Sequence, residues 1–371
     1  MRIGAWAARI ASGVAVLAAL AAFADVATYD AAAWNADFDR LKADMAQGYA
    51  NLDWIAERRG LDLAALSIET KSEIENAGSH LIALRALNRF IDRFDDPHFQ
   101  LADRDRRAAE GAPQADPPVP DCAGAGYREG RHDFRFPVER LPGWRPLAAG
   151  NFPSGLTGST GMLRIAEFGE NQYLAACAAR FRPGMSERAL QLAVRASLQA
   201  ELRDRLGELR RAGAKRLIVD LSRNGGGSEW VDEAVPLFTA RRLERKAPRR
   251  VGPACDRRSV WRGKRPPCSV FAKPDPPVRM AGEGAWSGPL LVLIDGDTAS
   301  ASEDFVAWMK DNRAATLIGA RTFGAGCGYV DGGTRTRLRA IPRDVRMPNC
   351  ARFLKDGTNE IEGVAPTSDC R

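Results

Sequence analysis

Twice in this chain an apolar segment runs into a tight turn and then into a stretch of helical character. The first is Leu217-Ile218-Val219-Asp220-Leu221, followed by Ser222-Arg223-Asn224-Gly225-Gly226-Gly227. The second, about eighty residues on, is Leu290-Leu291-Val292-Leu293-Ile294, followed by Thr298-Ala299-Ser300-Ala301-Ser302-Glu303. Residues 161–168 alternate like a strand ahead of the first unit. Ser186 is placed to cap a long helix whose stripe is Leu190, Val194, Leu198, Leu202, Leu206 and Leu209, ended by Gly213. A further short strand is expected at residues 316–318. Strand–turn–helix repeated in this way predicts an α/β fold, with its functional residues at the carboxyl ends of the strands.

The two turns differ in chemistry. One offers a hydroxyl, Ser300, at a strand-to-helix junction. The other is a glycine-rich turn whose N–H groups can face a developing negative charge. Together they are two of the three parts of an acyl-transfer site, and the third is a base. The chain has three histidines, His80, His98 and His132. His98 lies in Arg93-Phe94-Asp95-Asp96-Pro97-His98, at the expected end of a helix, where a turn could present it. A histidine in such a place is more often structural than catalytic.

The N-terminus reads as a targeting segment. Arg2 and Arg9 precede an apolar run over residues 10–21, and Ala22-Phe23-Ala24 is a small-x-small cleavage site. Residues 1–24 are therefore expected to be a secretory signal peptide rather than a span. All seven cysteines follow it, none in a C-x-x-C pair and none near a histidine at metal spacing. Disulfides in an oxidising compartment are expected, with Cys255 and Cys268 as the first pair, and no metal or cofactor. An odd number leaves one cysteine over. The formal charge of +7 is concentrated in residues 241–265. A basic run is most simply a solvated loop, and no aromatic platform is interleaved with the charges to serve a nucleic acid.

Residues 25–105 are expected to form a helical domain. Phe38, Leu41, Met45, Tyr49 and Leu52 recur at helical spacing, as do Ile82, Leu84, Leu87, Phe90 and Ile91. Residues 106–158, which open on the Pro-rich stretch 112–120, read as a linker or irregular insertion with short possible strands. Residues 159–371 form the expected α/β core.

In its motifs the chain resembles the tail-specific (C-terminal processing) serine peptidases, whose relatives include the tricorn protease core and the retinoid-binding repeats of the photoreceptor matrix. The family's D-L-R-x-N-x-G-G pattern is similar to residues 220–227, with Ser222 in the arginine's place. S-A-S-E-x-F matches residues 300–305, and G-V-x-P matches residues 363–366. T-F-G-K-G matches residues 322–326 except that Ala325 stands where the family has its lysine. The resemblance implies a crotonase/ClpP-like α/β core, with no PDZ module evident between arm and core. Family members with the lysine use a Ser–Lys dyad, which Ala325 cannot supply. The tricorn-like branch uses a histidine from an earlier segment and a glutamate before G-V-x-P. The implied catalytic residues are Ser300 as nucleophile, His98 as base and Glu360 as orienting carboxylate, with Glu362 as the nearby alternative. The implied oxyanion hole is the N–H pair of Gly226 and Ala301. Ser302 is read as a cap of the following helix, Glu303 and Asp304 as first-turn acids, and Asn224 as a brace for the glycine turn. The expectation is a periplasmic or secreted serine endopeptidase acting on protein or peptide, with a non-catalytic binding protein on the same fold as the alternative.

Overall fold

The computed structural model describes residues 23–104, 117–228, 230–252, 255–266 and 268–367. The expected signal peptide up to residue 22, most of the Pro-rich stretch and Cys370 lie outside those residues. After a helical stretch over residues 23–27 come α1 (Ala31–Gly48), α2 (Leu52–Arg58), α3 (Leu63–Glu75) and α4 (His80–Asp92), followed by strand β1 (Gln100–Asp103). Strands β2 (Arg145–Ala148), β3 (Ser154–Thr157) and β4 (Thr160–Arg164) precede helices α5 (Leu174–Arg180) and α6 (Glu187–Arg211). Then come β5 (Arg216–Asp220), α7 (Val231–Ala234), β6 (Leu243–Arg245), β7 (Val278–Met280), β8 (Leu290–Ile294), α8 (Ala301–Asp311), β9 (Thr316–Gly319), β10 (Thr334–Arg337) and β11 (Arg343–Met347).

The chain forms two compact units, both discontinuous in sequence. Residues 1–109, 250–273 and 329–350 make the first, and residues 110–249, 274–328 and 351–371 the second.

In the first unit the apolar stripes of the helices meet over an aromatic core. Trp34, Phe38, Phe90, Phe94 and Phe99 are buried, and Phe38 and Phe90 pack edge to face at 5.0 Å. Three of these helix starts are capped by a side chain: Asp30 accepts from Ala32 and Ala33, Asp62 from Ala65, and Ser79 from Ile82. At the other end of α1, the buried Arg257 donates to the carbonyls of Met45, Ala46 and Tyr49. A cation is favoured where a helix leaves its last carbonyls unpaired. Strands β1, β11 and β10 form an antiparallel sheet in that order.

The second unit is built on a six-stranded sheet of order β9-β8-β5-β4-β3-β2. β4, β5, β8 and β9 are parallel, while β2 and β3 add an antiparallel edge. The six stripe residues of α6 are fully buried, each worth about 1.5–3 kcal/mol relative to exposure. β5 and β8 are neighbours in register Val219↔Val292, so the turns that follow them emerge side by side. That adjacency positions the site. The Cys255–Cys268 pair is bonded as expected; Cys122 and Cys177 form a second disulfide, and Cys327 and Cys350 are oxidised as well. Among the described residues no helix is long and apolar enough to cross a membrane.

Candidate active site

The glycine turn and the serine turn are stitched together by backbone and side-chain bonds. Ala299 N donates to Asn224 O at 3.0 Å, Thr298 Oγ1 to Leu221 O at 3.0 Å, and Arg223 N to Asp295 Oδ1 at 2.9 Å. Asn224 is fully buried and braces its turn from within. Its Oδ1 accepts from Gly226 N at 3.0 Å and its Nδ2 donates to Ile165 O at 3.0 Å. Asp220 ends β5 beside Arg164, which donates to it at 2.8 Å and to Ser222 O at 2.9 Å. Asp220 is thus paired with a guanidinium from the neighbouring strand, while Ser222 Oγ donates to the same carboxylate at 2.6 Å.

Ser300 has φ 55° and ψ −112°, an unusual backbone for a residue with a side chain. Such conformations cost about 1–3 kcal/mol and concentrate where a side chain must be presented from a sharp strand-to-helix turn. Gly226 explains how the neighbouring turn fits. A Cβ there would meet Ala299 O at 2.6 Å, Ala301 N at 2.8 Å and Ser300 Cβ at 2.8 Å, and its φ is +98°. Ala301 N–H, at the first position of α8, has no acceptor among the described residues. Gly226 N–H is held by Asn224.

Glu303 does more than complement a helix dipole. Its buried carboxylate accepts from Ser300 N at 2.8 Å, Thr322 Oγ1 at 2.7 Å, Gly324 N at 2.7 Å, Ala325 N at 2.8 Å and Gly326 N at 3.2 Å. The S-A-S-E and T-F-G-x-G motifs are one structural device: an anion seated in the backbone of a second turn. Ala325 is itself buried and leaves no side-chain base at that position. Ser302 does not cap the helix. It sits inside the first turn of α8, fully buried, with no partner for its Oγ among the described residues; the N-cap is Ser300. Lys310, the one cation of α8, donates to Ala365 O at 2.9 Å.

Glu360 is buried and faces two guanidiniums. Arg352 Nε donates to its Oε2 at 2.7 Å, and Arg245 pairs with its Oε1. Arg245 also pairs with Asp304, which lies 3.6 Å from Arg352 Nη1. Burial lowers Arg352 to about 10 and Arg245 to about 9, both still cationic at neutral pH. Arg352 Nη2 reaches Ser300 O at 2.8 Å, so a guanidinium bridges Ser300 and Glu360. Glu362, two residues on, ends the same short 3-10 turn. Neither arginine stands out in the sequence pattern, because Arg245 meets Asp304 and Arg352 meets Ser300 across more than fifty residues of chain.

His98 belongs to the first unit and is half-buried. Its turn is built by Asp96, whose Oδ1 accepts from His98 N at 3.0 Å and whose Oδ2 accepts from Tyr49 Oη at 2.8 Å and Asn51 Nδ2 at 3.1 Å. Burial pushes the Asp96 carboxyl above its ordinary range, against the pull of His98 and those donors. Tyr329 donates to His98 O and its ring meets the imidazole edge to face at 5.4 Å. The other histidines are committed to packing. Trp34 Nε1 donates to His80 Nδ1 at 3.0 Å, and His132 stacks on Tyr173 at 4.5 Å.

Comparison with known proteins gives a consistent answer. The sequence pattern of Peptidase family S41 matches residues 159–368. A carboxyl-terminal-processing protease of Synechocystis sp. is 30% identical over 155 residues, 39% of this chain and 30% of that protein. A second, from Picosynechococcus sp., is 26% identical over 140 residues, 35% of this chain and 27% of that protein. The chain thus aligns with less than a third of the length of either relative. Among solved structures, mature CPAF complexed with lactacystin superposes with TM-score 0.61 at 14% identity, covering 91% of this chain and 94% of that one. A candidate peptidase from Parabacteroides merdae superposes with TM-score 0.57 at 17% identity, covering 90% and 88%. At those identities the superpositions speak for the fold.

Proposed function

Because the chain belongs to peptidase family S41, we propose that it is an exported serine endopeptidase in which Ser300 attacks the scissile carbonyl of a protein or peptide. The observation that carries this reading is the strained Ser300 turn locked against Gly226. His98 takes the hydroxyl proton and returns it to the leaving amine, the two-way role of a histidine base. Ala325 in the lysine's place and Lys310 bonded to a carbonyl support His98 in that role. Ala301 N–H donates to the oxyanion, and Gly226 N–H joins it by exchanging Asn224 Oδ1 for the substrate oxygen; each donor is commonly worth ~3 kcal/mol. Glu360 orients the imidazole. A carboxylate has about four acceptor sites, and the two arginines leave room for one more N–H. The disulfides support an oxidising compartment, periplasmic or extracellular.

One observation favours the non-catalytic alternative: the Gly226 N–H is already bonded to Asn224. Fluorophosphonate labelling separates the two. The parent protein should label covalently and Ser300→Ala should not; a parent that never labels points to a binding protein. In steady-state hydrolysis of an unstructured peptide, His98→Ala should lower kcat by orders of magnitude, because base and nucleophile act as a unit. Glu360→Gln should cost less, and Glu362→Gln should cost less still. Near-normal turnover in His98→Ala removes the histidine from the mechanism.

A further inference from the structure

We propose that Arg352 is a positioning residue for Ser300, a role that rests on the reading of Ser300 as nucleophile. Its guanidinium holds three segments together. Nη2 donates to Ser300 O at 2.8 Å and to Gly326 O at 2.7 Å, and Nε donates to Glu360 Oε2 at 2.7 Å. The serine turn, the turn over residues 322–326 and the turn before Gly363 are thereby fixed to a single planar group. Its donors are set in a rigid fork, which suits three acceptors at fixed angles.

The peptide that Arg352 grips is the one that carries the strain. Ser300 lies at φ 55°, where a residue with a Cβ is unfavourable, and its ψ of −112° is what aims the gripped carbonyl. Holding Ser300 O, which also accepts from Asp304 N at 3.1 Å, fixes ψ and with it where Cβ stands relative to the rest of the turn. Glu303 holds the other side of the same residue, through Ser300 N at 2.8 Å. Ser300 is therefore clamped at both backbone polar atoms by buried charges of opposite sign. The guanidinium is in turn held from behind. Arg245 pairs with Glu360 and Asp304, and Asp304 lies 3.6 Å from Arg352 Nη1. Two arginines and two carboxylates alternate round a closed ring, with Ser300 O on one corner. Arg245 completes the ring, but none of its bonds reaches Ser300.

The test uses the purified full chain with Arg352→Lys, Arg257→Lys and Ser300→Ala. Lysine keeps the charge and loses the fork. For Arg352→Lys the expected result is a fall in kcat on the order of 10²-fold, the cost of roughly 1 Å of misplacement. The fluorophosphonate labelling rate should fall in parallel, while KM and the shape of the pH profile stay unchanged. Arg257→Lys, at the buried arginine that holds the last carbonyls of α1, should leave kcat within a few-fold even where it lowers the melting temperature as much. Arg352→Gln replaces the lysine variant, with the same expectation, if the latter does not fold. Equal losses of kcat in the Arg352 and Arg257 variants, or full kcat in Arg352→Lys beside an inert Ser300→Ala, overturn the positioning role and leave the nucleophile standing. Turnover in Ser300→Ala overturns both.

Discussion

At the residue scale the site is decided by which backbone atoms can approach each other. Gly225 and Gly226 are neighbours in sequence and opposites in space. A Cβ on Gly225 meets nothing within 4 Å, whereas one on Gly226 falls on the Ser300 turn at 2.6 Å. Gly225→Ala should therefore change stability by less than about 1 kcal/mol and leave turnover nearly intact. Gly226→Ala should cost about 3 kcal/mol or more and abolish labelling of Ser300. Urea denaturation and probe labelling of the two variants check this, and equal behaviour would refute the close-approach argument. Asp96 makes a second case. Its carboxyl is raised above the ordinary 3.8 by burial, so the folded state binds that proton more tightly than the unfolded chain. The stabilisation is complete below the ordinary value and is lost as pH rises through the raised one. In Asp96→Asn the decline of melting temperature on going from about pH 4 to neutrality should be shallower than in the parent. An identical slope would mean that Asp96 does not contribute it.

At the element scale, a carboxylate does what no local sequence pattern announced. Glu303 was legible as a first-turn acid because its position relative to Ser300 is a matter of short spacing. Its four donors from residues 322–326 were not, since nothing in one turn's sequence says which distant turn will close over it. The same reason hid Arg352 and Arg245. The converse held where spacing is the physics. The α6 stripe, the paired strand–turn–helix units and the Asn224 brace were all readable from period and turn chemistry. Ser302 misled because a serine near a helix start resembles a cap, and only the backbone shows that Ser300 occupies that position. β2 and β3 gave only short hints, since four-residue strands are too brief for an alternation to register. Glu303→Gln tests the device directly. A glutamine turns an NH₂ toward a nest of donors and removes the charge, which should cost about 3 kcal/mol and take activity with it. A loss below about 1 kcal/mol in equilibrium denaturation would mean that the 322–326 turn is held by other contacts.

At the scale of the whole molecule, each unit carries a cross-link of its own. Cys122–Cys177 closes a separation of 55 residues in the second unit, and Cys255–Cys268 one of 13 in the first. The longer loop restricts the unfolded chain more, about 4 kcal/mol against about 3 kcal/mol on the chain-entropy account. The difference is small because closure entropy grows only with the logarithm of loop length. With Cys327 and Cys350 also oxidised, six of the seven cysteines are bonded. Thiol titration of the denatured, unreduced protein should therefore find no more than one free thiol per chain. Reduction should lower the melting temperature. The paired variant Cys122→Ser with Cys177→Ser should lower it at least as far as Cys255→Ser with Cys268→Ser. The second unit also holds Ser300, Gly226 and Glu360, so the first pair of substitutions should shorten the lifetime of activity on warming, and the second pair should do so less. Three or more free thiols, or a melting temperature unmoved by reductant, would refute the cross-linked fold and with it the support for an oxidising compartment.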